Sequence, residues 1–380
     1  MITSTSQFQQ VIRESHKVVT KAVIMTGNNP QFTLSIVDGN VKVYNCTNKF
    51  RRTADVKLSD PTGTLVPNEL TDLLHPLSGN EVWLYRGAYV PSLGVEEYIQ
   101  LGAFVIKDCE ILDSGENLAI SVKLYDRSLS VSRARILEPT VVASGTSMGT
   151  VIKNVLDVRY PKVKYGMDFT QVRPWITAPA GVIDRTSDPW EVLSKWACDA
   201  GLDLMFDNTG MLMLHPLPAG NPSSGDVNWK VIEGQLSPML SLRKDLTQDN
   251  TYNHVMCYSQ PTDGVTPVSG SAAITDNRHP LCVTGPMGDI PFFYQSNMFT
   301  SNEQCQAVAQ SLLYQHAGHS EHVHFNSLVN PCLEAYDIVQ VIRTKSKVNA
   351  YYSLDSATIP LTATRALECD MRERFLLDVF

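Results

Sequence analysis

The chain has 380 residues, 43% hydrophobic and 18% charged, which excludes disorder, a collagen repeat and a coiled coil and leaves room for two or three domains. A formal net charge of −8 argues against a basic face that grips duplex nucleic acid, yet it suits an acidic wall that phosphate slides past. No run of about 18 apolar residues occurs and residues 1–17 have no positive-then-apolar leader pattern, so folding in a cytosol without a membrane segment is expected.

Residues 1–20 are polar with an amphipathic hint in Phe8, Val11 and Ile12, and a first strand begins over 21–25. Runs at 31–37 and 41–44 flank Asp38-Gly39-Asn40, which reads as a tight hairpin turn. RRTADVKLSD (51–60) alternates, with Ala54, Val56 and Leu58 on one face and Asp55 and Lys57 on the other. A turn at 60–63 and a short helical or irregular excursion over 68–74 follow. Three strand-like runs come next, at 82–85, 99–106 and 118–125. In the last, Leu118, Ile120, Val122 and Leu124 alternate with Ala119, Ser121, Lys123 and Tyr125. Residues 113–117 have hairpin-turn composition. Six or seven strands suffice for one closed barrel or sandwich.

Past 135 the texture changes. A helix starts after Gly145-Thr146-Ser147, carries Val151, Ile152, Val155 and Leu156 at helical spacing, and stops at Tyr160-Pro161. The spacing predicts a second helix over 188–201: Asp188 caps it, Pro189 takes its first position, and Glu191 completes a capping box. Its apolar face is Trp190, Leu193, Trp196, Ala197 and Ala200, and Gly201 ends it. A hairpin around 207–210 follows, then a Pro-, Gly- and Ser-rich loop over 216–229. Strands resume over 240–259, residues 260–298 are turn-rich, and a third helix spans 300–318, with Thr300 and Glu303 as its capping box. Its buried stripe is Cys305, Val308, Ala309, Leu312 and Leu313. Strands at 338–342, 351–354 and 367–372 complete a second β unit.

The strings EVWLYRG (81–87), Glu96-Glu97, LGAFVI (101–106) and YDRS (125–128) occur in an order that resembles tail hub proteins of long-tailed bacteriophages. TYNHVMCYS (251–259) and PCLEAYD (331–337) are similar to further strings of that family, with Tyr336 where glycine is usual. The resemblance covers roughly 10–375. It implies a mainly β chain with an α+β middle section: a first tube-like β-barrel over 1–137 and a helix-plus-hairpin unit over 138–238. A second barrel would comprise 239–260 and 326–380, including the strand at 251–259, with an inserted segment and one helix at 261–325. It further implies a homotrimeric ring at the baseplate or tail tip of the virion, with tube proteins above and tip or fibre proteins below. The tape measure protein and the genome would pass through its channel without sequence-specific contact. An adaptor ring or tube subunit is the rival of the same class. A cell-wall hydrolase or carbohydrate-binding β protein is the rival of another.

No catalytic, cofactor-binding or metal-ligating residue is assigned from the sequence. His316, His319, His322 and His324 form the densest ligand-type cluster, but Gly318 interrupts it and no His-Glu-x-x-His pattern or carboxylate partner is present, so a solvated helix end is expected. Glu96 and Glu97 are adjacent and point to opposite faces of a strand, unlike a paired acid and base. Arg51-Arg52 and Arg133/Arg135 read as solvated strand ends or interface rims. Trp190 and Trp196 read as core rather than sugar platforms. The eight cysteines (46, 109, 198, 257, 282, 305, 332 and 369) lack any Cys-x-x-Cys pair and read as free thiols.

Overall fold

The computed structural model describes residues 1–60, 62–114, 118–178, 181–218, 226–234, 237–260, 266–297, 299–317 and 321–373. It opens on α1 (Ser6–Val11), where the Thr5 hydroxyl accepts from Phe8 N and Phe8 is buried. Seven strands follow: β1 (Val18–Thr26), β2 (Asn29–Leu34), β3 (Ile36–Tyr44), β4 (Arg52–Ser59), β5 (Glu81–Val90), β6 (Val95–Asp113) and β7 (Leu118–Asp126). Period-2 burial is clearest in β4, where Ala54, Val56 and Leu58 face the core while Asp55 and Lys57 face out. The excursion at 68–74 is a run of turns without a helix. Residues 115–117 of the expected hairpin turn lie outside the described residues.

Asp38-Gly39-Asn40 is not a hairpin turn. It lies inside β3, and the turn sits instead at 27–28, where Gly27 takes a φ of 63° and β1 folds back onto β2. The register of β3 on β4 slips between Ile36 and Asp38, and a Cβ on Gly39 (φ 145°) would stand 2.5 Å from the Asp55 carbonyl oxygen. The glycine serves a close backbone approach at an irregularity, the other use of glycine within a strand.

The middle section comprises α2 (Ser128–Arg133), β8 (Thr140–Val142), α3 (Met148–Arg159), β9 (Gly181–Ile183), α4 (Pro189–Asp199), β10 (Leu202–Phe206) and β11 (Leu212–Pro216). Ser147 caps α3, its Oγ accepting from Thr150 N at 3.3 Å. Asp188 caps α4, accepting from Trp190 N at 3.0 Å and Glu191 N at 3.2 Å. Glu191 does not reach back to close a box; its carboxylate stands 3.5 Å from Lys49 Nζ. Val151, Ile152, Val155 and Leu156 of α3 pack with Trp190, Leu193 and Ala197 of α4 and with Phe206 and Leu212 of the hairpin in a core of their own.

The rest of the chain forms β12 (Val227–Ile232), β13 (Met239–Leu246), β14 (His254–Tyr258), β15 (Ser269–Ala273), β16 (Pro291–Gln295), α5 (Asn302–Ala317), β17 (Glu321–Ser327), β18 (Ile338–Arg343), β19 (Val348–Pro360) and β20 (Leu367–Glu373). The strand at 251–259, expected in the second barrel, is β14, and it pairs with β15 and β16 in a separate three-stranded sheet. That sheet packs on α5 through Val255, Cys257, Ala272, Cys305, Val308 and Leu313. The strand sits here because 260–298, expected to be turn-rich throughout, contains the two partners that complete its ladder. At the start of α5 the cap is Ser301, whose Oγ accepts from Gln304 N at 3.2 Å, while the Gln304 side chain accepts from Thr300 N at 3.0 Å. The pair is one residue downstream of the expected Thr300 and Glu303, since serine and glutamine fill the same two roles.

The large sheet runs β2-β1-β5-β6-β7-β4-β3-β19-β20-β17-β13, with β18 on the first half of β19 and β12 parallel to β18. Strand β19 is the joint. Val348 to Ser353 pair with β18, whereas Ser356 to Pro360 pair with β3, Ser356 opposite Tyr44 and Pro360 opposite Asn40. The β units at the two ends of the sequence are therefore neighbours in one sheet, and they share one core, from Phe8, Val56 and Phe104 to Phe325, Val341 and Met371.

Candidate functional site at a buried ionic joint

Where the β body meets the α+β section, charged side chains are buried. Arg51 and Arg52, read as solvated from the sequence, are 4% and 2% exposed. Arg51 Nη2 donates to Asp203 Oδ1 of β10 at 2.6 Å, and Nε donates to the same oxygen at 3.2 Å. Burial opposes the Arg51 charge, but the pull of Asp203 and its hydrogen bonds outweigh it, and the guanidinium pKa rises. Arg52 pairs with Glu334 and donates to the Leu101 carbonyl at 3.0 Å, and its backbone N–H donates to Asp126 at 2.9 Å. Burial pushes the Glu334 carboxyl up, with Arg52 opposing. Alternation contains the missed signal: Arg52 shares the inward face of β4 with Ala54, Val56 and Leu58.

Two strings of the family resemblance, EVWLYRG and YDRS, meet at the same joint through Glu81 and Arg127. Arg127 of YDRS donates through Nε to Glu81 Oε1 at 2.7 Å and through Nη1 to the Gly210 carbonyl, in the β10–β11 hairpin, at 2.5 Å. Asp126 is buried and accepts from Ser128 N at 3.0 Å as well as from Arg52 N; burial raises its pKa against these bonds. Arg86 of EVWLYRG lies on the inward face with Val82, Leu84, Ala88 and Val90, and donates to the Pro360 and Thr362 carbonyls at 2.5 and 3.0 Å. Burial lowers its pKa to about 10, so it remains a cation that clamps the end of β19. Asp188, the α4 cap, also accepts from Lys49 at 2.6 Å and from Ser132. The joint's carboxylates Glu81, Asp126, Asp188, Asp203 and Glu334 each bind a guanidinium, an ammonium or a backbone N–H, an arrangement suited to holding three chain segments in register.

The other candidates are dispersed. His316, expected at a solvated helix end, is half-buried with its ring edge-on to Tyr252 and tilted against Phe292, centroids 5.1 and 4.3 Å away. His324 lies between Asp245 and Asp370 on the β13–β17–β20 ladder. His322 faces Arg372 in the β17–β20 register, and His319 lies outside the described residues. Among the described residues no group of three or more His, Cys, Asp or Glu side chains is placed to hold a metal ion. Glu96 accepts from Tyr98 and Lys17, and Glu97 from Thr5 N at 2.9 Å. Arg133 and Arg135 are exposed, in the last turn of α2 and just beyond it rather than at a strand end. Trp190 is fully buried, but Trp196 is half-buried and lines a cavity of about 560 Å³ with Lys195, Asp199, Gln260, Tyr294 and Gln295. No described helix is long and apolar enough to cross a membrane.

The mainly β body, the joined sheet and the helix-plus-hairpin section share the fold of bacteriophage tail proteins and of a component of a type VI secretion system. A tail protein from Neisseria meningitidis matches with a TM-score of 0.61 at 12% identity, over 94% of this chain and 96% of that one. The 43 kDa tail protein of prophage MuSo2 from Shewanella oneidensis matches with a TM-score of 0.59 at 11% identity, over 93% and 98%. A type VI secretion component from E. coli, described as structurally similar to the T4 bacteriophage tail proteins gp27 and gp5, matches with a TM-score of 0.52 at 9% identity, over 95% and 80%. No family model and no curated protein sequence matches the chain.

Proposed function

We propose that this chain is a structural tail protein of a virion, the hub that joins the tail tube to the tip. The observation that carries the reading is the β3–β19 seam, which sets two β units side by side in one subunit. Three copies of such a subunit present six similar units around an axis, which matches a sixfold tube to a threefold tip. In this reading residues 1–137 form the first tube-like unit and 138–238 the helix-plus-hairpin unit apart from β12. Residues 239–260 with 326–380, together with β12 and the whole of β17 but apart from β14, form the second tube-like unit, and the rest of 261–325 is the insertion. Each first unit meets a neighbour's second in a heterologous contact that closes. The genome and the tape measure protein pass through the ring, and the net charge of −8 favours a wall that repels phosphate. The work is assembly and gating at interfaces, with no bond chemistry.

Native mass spectrometry and negative-stain imaging of the purified chain test this. A trimer with a central hole is expected, and a sixfold ring or a monomer at every concentration counts against the hub. The half-buried Trp196 beside Tyr294 favours one second reading, a glycan-binding protein, because an aromatic face in a polar cavity suits a sugar ring. Saturable glycan binding or peptidoglycan cleavage by the lone chain would favour that reading over the hub.

A further inference from the structure

The loop after β3 is pinned against α4 and β10 at three points. Trp190 Nε1 donates to the Lys49 carbonyl at 2.8 Å, Lys49 Nζ pairs with Asp188 at 2.6 Å, and Arg51 pairs with Asp203 at 2.6 Å. Cys46 rides on this loop, its backbone N–H donating to the Tyr336 hydroxyl at 2.8 Å. Cys198 lies in the last turn of α4. Both half-buried thiols line one cavity of about 410 Å³, whose rim includes the exposed Asn48, Glu191 and Lys195. Both side chains open onto this one cavity, close enough for each thiol to perturb the other's ionisation. Cys257 and Cys305 are also neighbours, but they are buried in the core of the three-stranded sheet and α5.

We propose that Cys46 and Cys198 form an oxidation site that closes to a disulfide, stapling the loop after β3 to the end of α4. The inference stands apart from the tail-protein reading. The oxidant is a small-molecule disulfide. The Cys46 thiolate attacks one of its sulfurs, forming a mixed disulfide and releasing one small thiolate. The Cys198 thiol, its proton taken by that thiolate or by water, then attacks the Cys46 sulfur and expels the second small thiolate. Two protein thiols are oxidised and one small disulfide is reduced to two thiols.

The roles follow from the surroundings. The neighbouring Cys198 thiol pulls the Cys46 thiol down to about 7, with Tyr336 and Arg51 assisting and burial and Asp203 opposing. Cys198 is pushed up by Cys46, then by burial and by Asp199 and Asp203. A thiol that ionises near neutral pH attacks fastest, and its protonated neighbour resolves. Burial and mutual proximity push Cys257 up to about 12, and burial pushes Cys305 up to about 11, which leaves them slow.

The full chain is incubated with oxidised glutathione, quenched in acid, alkylated and digested without reduction. A peptide pair joined through Cys46 and Cys198 is expected, with Cys257 and Cys305 alkylated. In Cys198→Ser, whose fold is checked by circular dichroism, the glutathione adduct should accumulate on Cys46. In Cys46→Ser the adduct on Cys198 should form at least about tenfold more slowly, given the thiolate control of the rate. Recovery of Cys46 and Cys198 as alkylated thiols in the wild-type chain would overturn the proposal. So would a stable adduct on wild-type Cys46 that never closes.

Discussion

Glu81 and Arg127 join hands across a strand that lies between them. Glu81 opposes Val105 of β6, and Val105 opposes Tyr125 of β7, yet Arg127 Nε and Nη2 meet the two Glu81 oxygens at 2.7 and 2.8 Å. The same guanidinium holds the Gly210 carbonyl, so one side chain ties β5, β7 and the β10–β11 hairpin.

Removing it should show what the joint contributes. Arg127→Ala leaves a largely buried Glu81 without its cation, though still accepting from Trp83 Nε1 at 3.0 Å, and should cost about 3 kcal/mol. Replacing both residues with apolar ones of similar size should cost less than Arg127→Ala alone, because the desolvation penalty disappears with the charges. Urea unfolding of the three variants measures this, and a loss below about 1 kcal/mol for Arg127→Ala would mean that Glu81 is well solvated in solution.

The two tryptophans of α4 should separate. Trp190 is fully buried, stacks on Phe206 with ring centroids 5.5 Å apart, and donates to the Lys49 carbonyl, so Trp190→Ala should cost about 3–5 kcal/mol. Trp196 is half-buried at a cavity, so Trp196→Ala should cost clearly less. Equal losses in thermal melts would contradict the difference in burial.

Stability should depend on pH through two groups of opposite sign. Burial first, then Glu321, pushes the Glu373 carboxyl up to about 7, with Lys244 opposing. The folded chain keeps a proton there that the unfolded chain releases near pH ~4.3. This stabilisation is full below that value and is lost as pH rises through about 7. Burial lowers the pKa of His316, so its contribution is full above about pH 6.5 and is lost as pH falls through the folded value. In melting scans from about pH 4 to 8, Glu373→Gln should flatten the decline toward neutral pH and His316→Gln the decline on the acid side. Parallel curves for either variant and wild type would dismiss that group.

Local chemistry made much of the fold legible. Ser147 and Asp188 cap α3 and α4 where serine and aspartate precede apolar helical spacing, and β4 and β7 alternate as written. Strand partners were not legible: β3 bonds to β19, hundreds of positions away, and β14 takes two nearby strands, β15 and β16, whose short runs bury too little apolar surface to read as strands, instead of joining the large sheet. The joint was half legible. Arg52 and Arg86 fall on inward faces by period, but residue type alone pointed both arginines of the 51–52 pair to solvent. Asp203, the partner that makes burial tolerable, is more than 150 residues away from Arg51.

Tyr336 offers the sharpest test of local geometry. It stands where the resembling family has glycine, and its φ of 68° is the left-handed conformation that glycine adopts freely. The turn is therefore kept and the side chain is strained into it, held by the Cys46 N–H on its hydroxyl and by its own N–H on the Leu354 carbonyl, both at 2.8 Å. Tyr336→Ala and Tyr336→Gly lose the same ring and hydroxyl. They differ in the backbone term: in an ordinary conformation alanine is the more stable by roughly 0.5–1 kcal/mol, since glycine loses more entropy on folding. In the left-handed region the Cβ costs roughly 1–2 kcal/mol, which reverses the order. Tyr336→Gly should therefore unfold at a higher urea concentration than Tyr336→Ala, by a margin near 1 kcal/mol. A midpoint for the alanine variant equal to or above that of the glycine variant would show that the chain relaxes out of this turn once the tyrosine is gone.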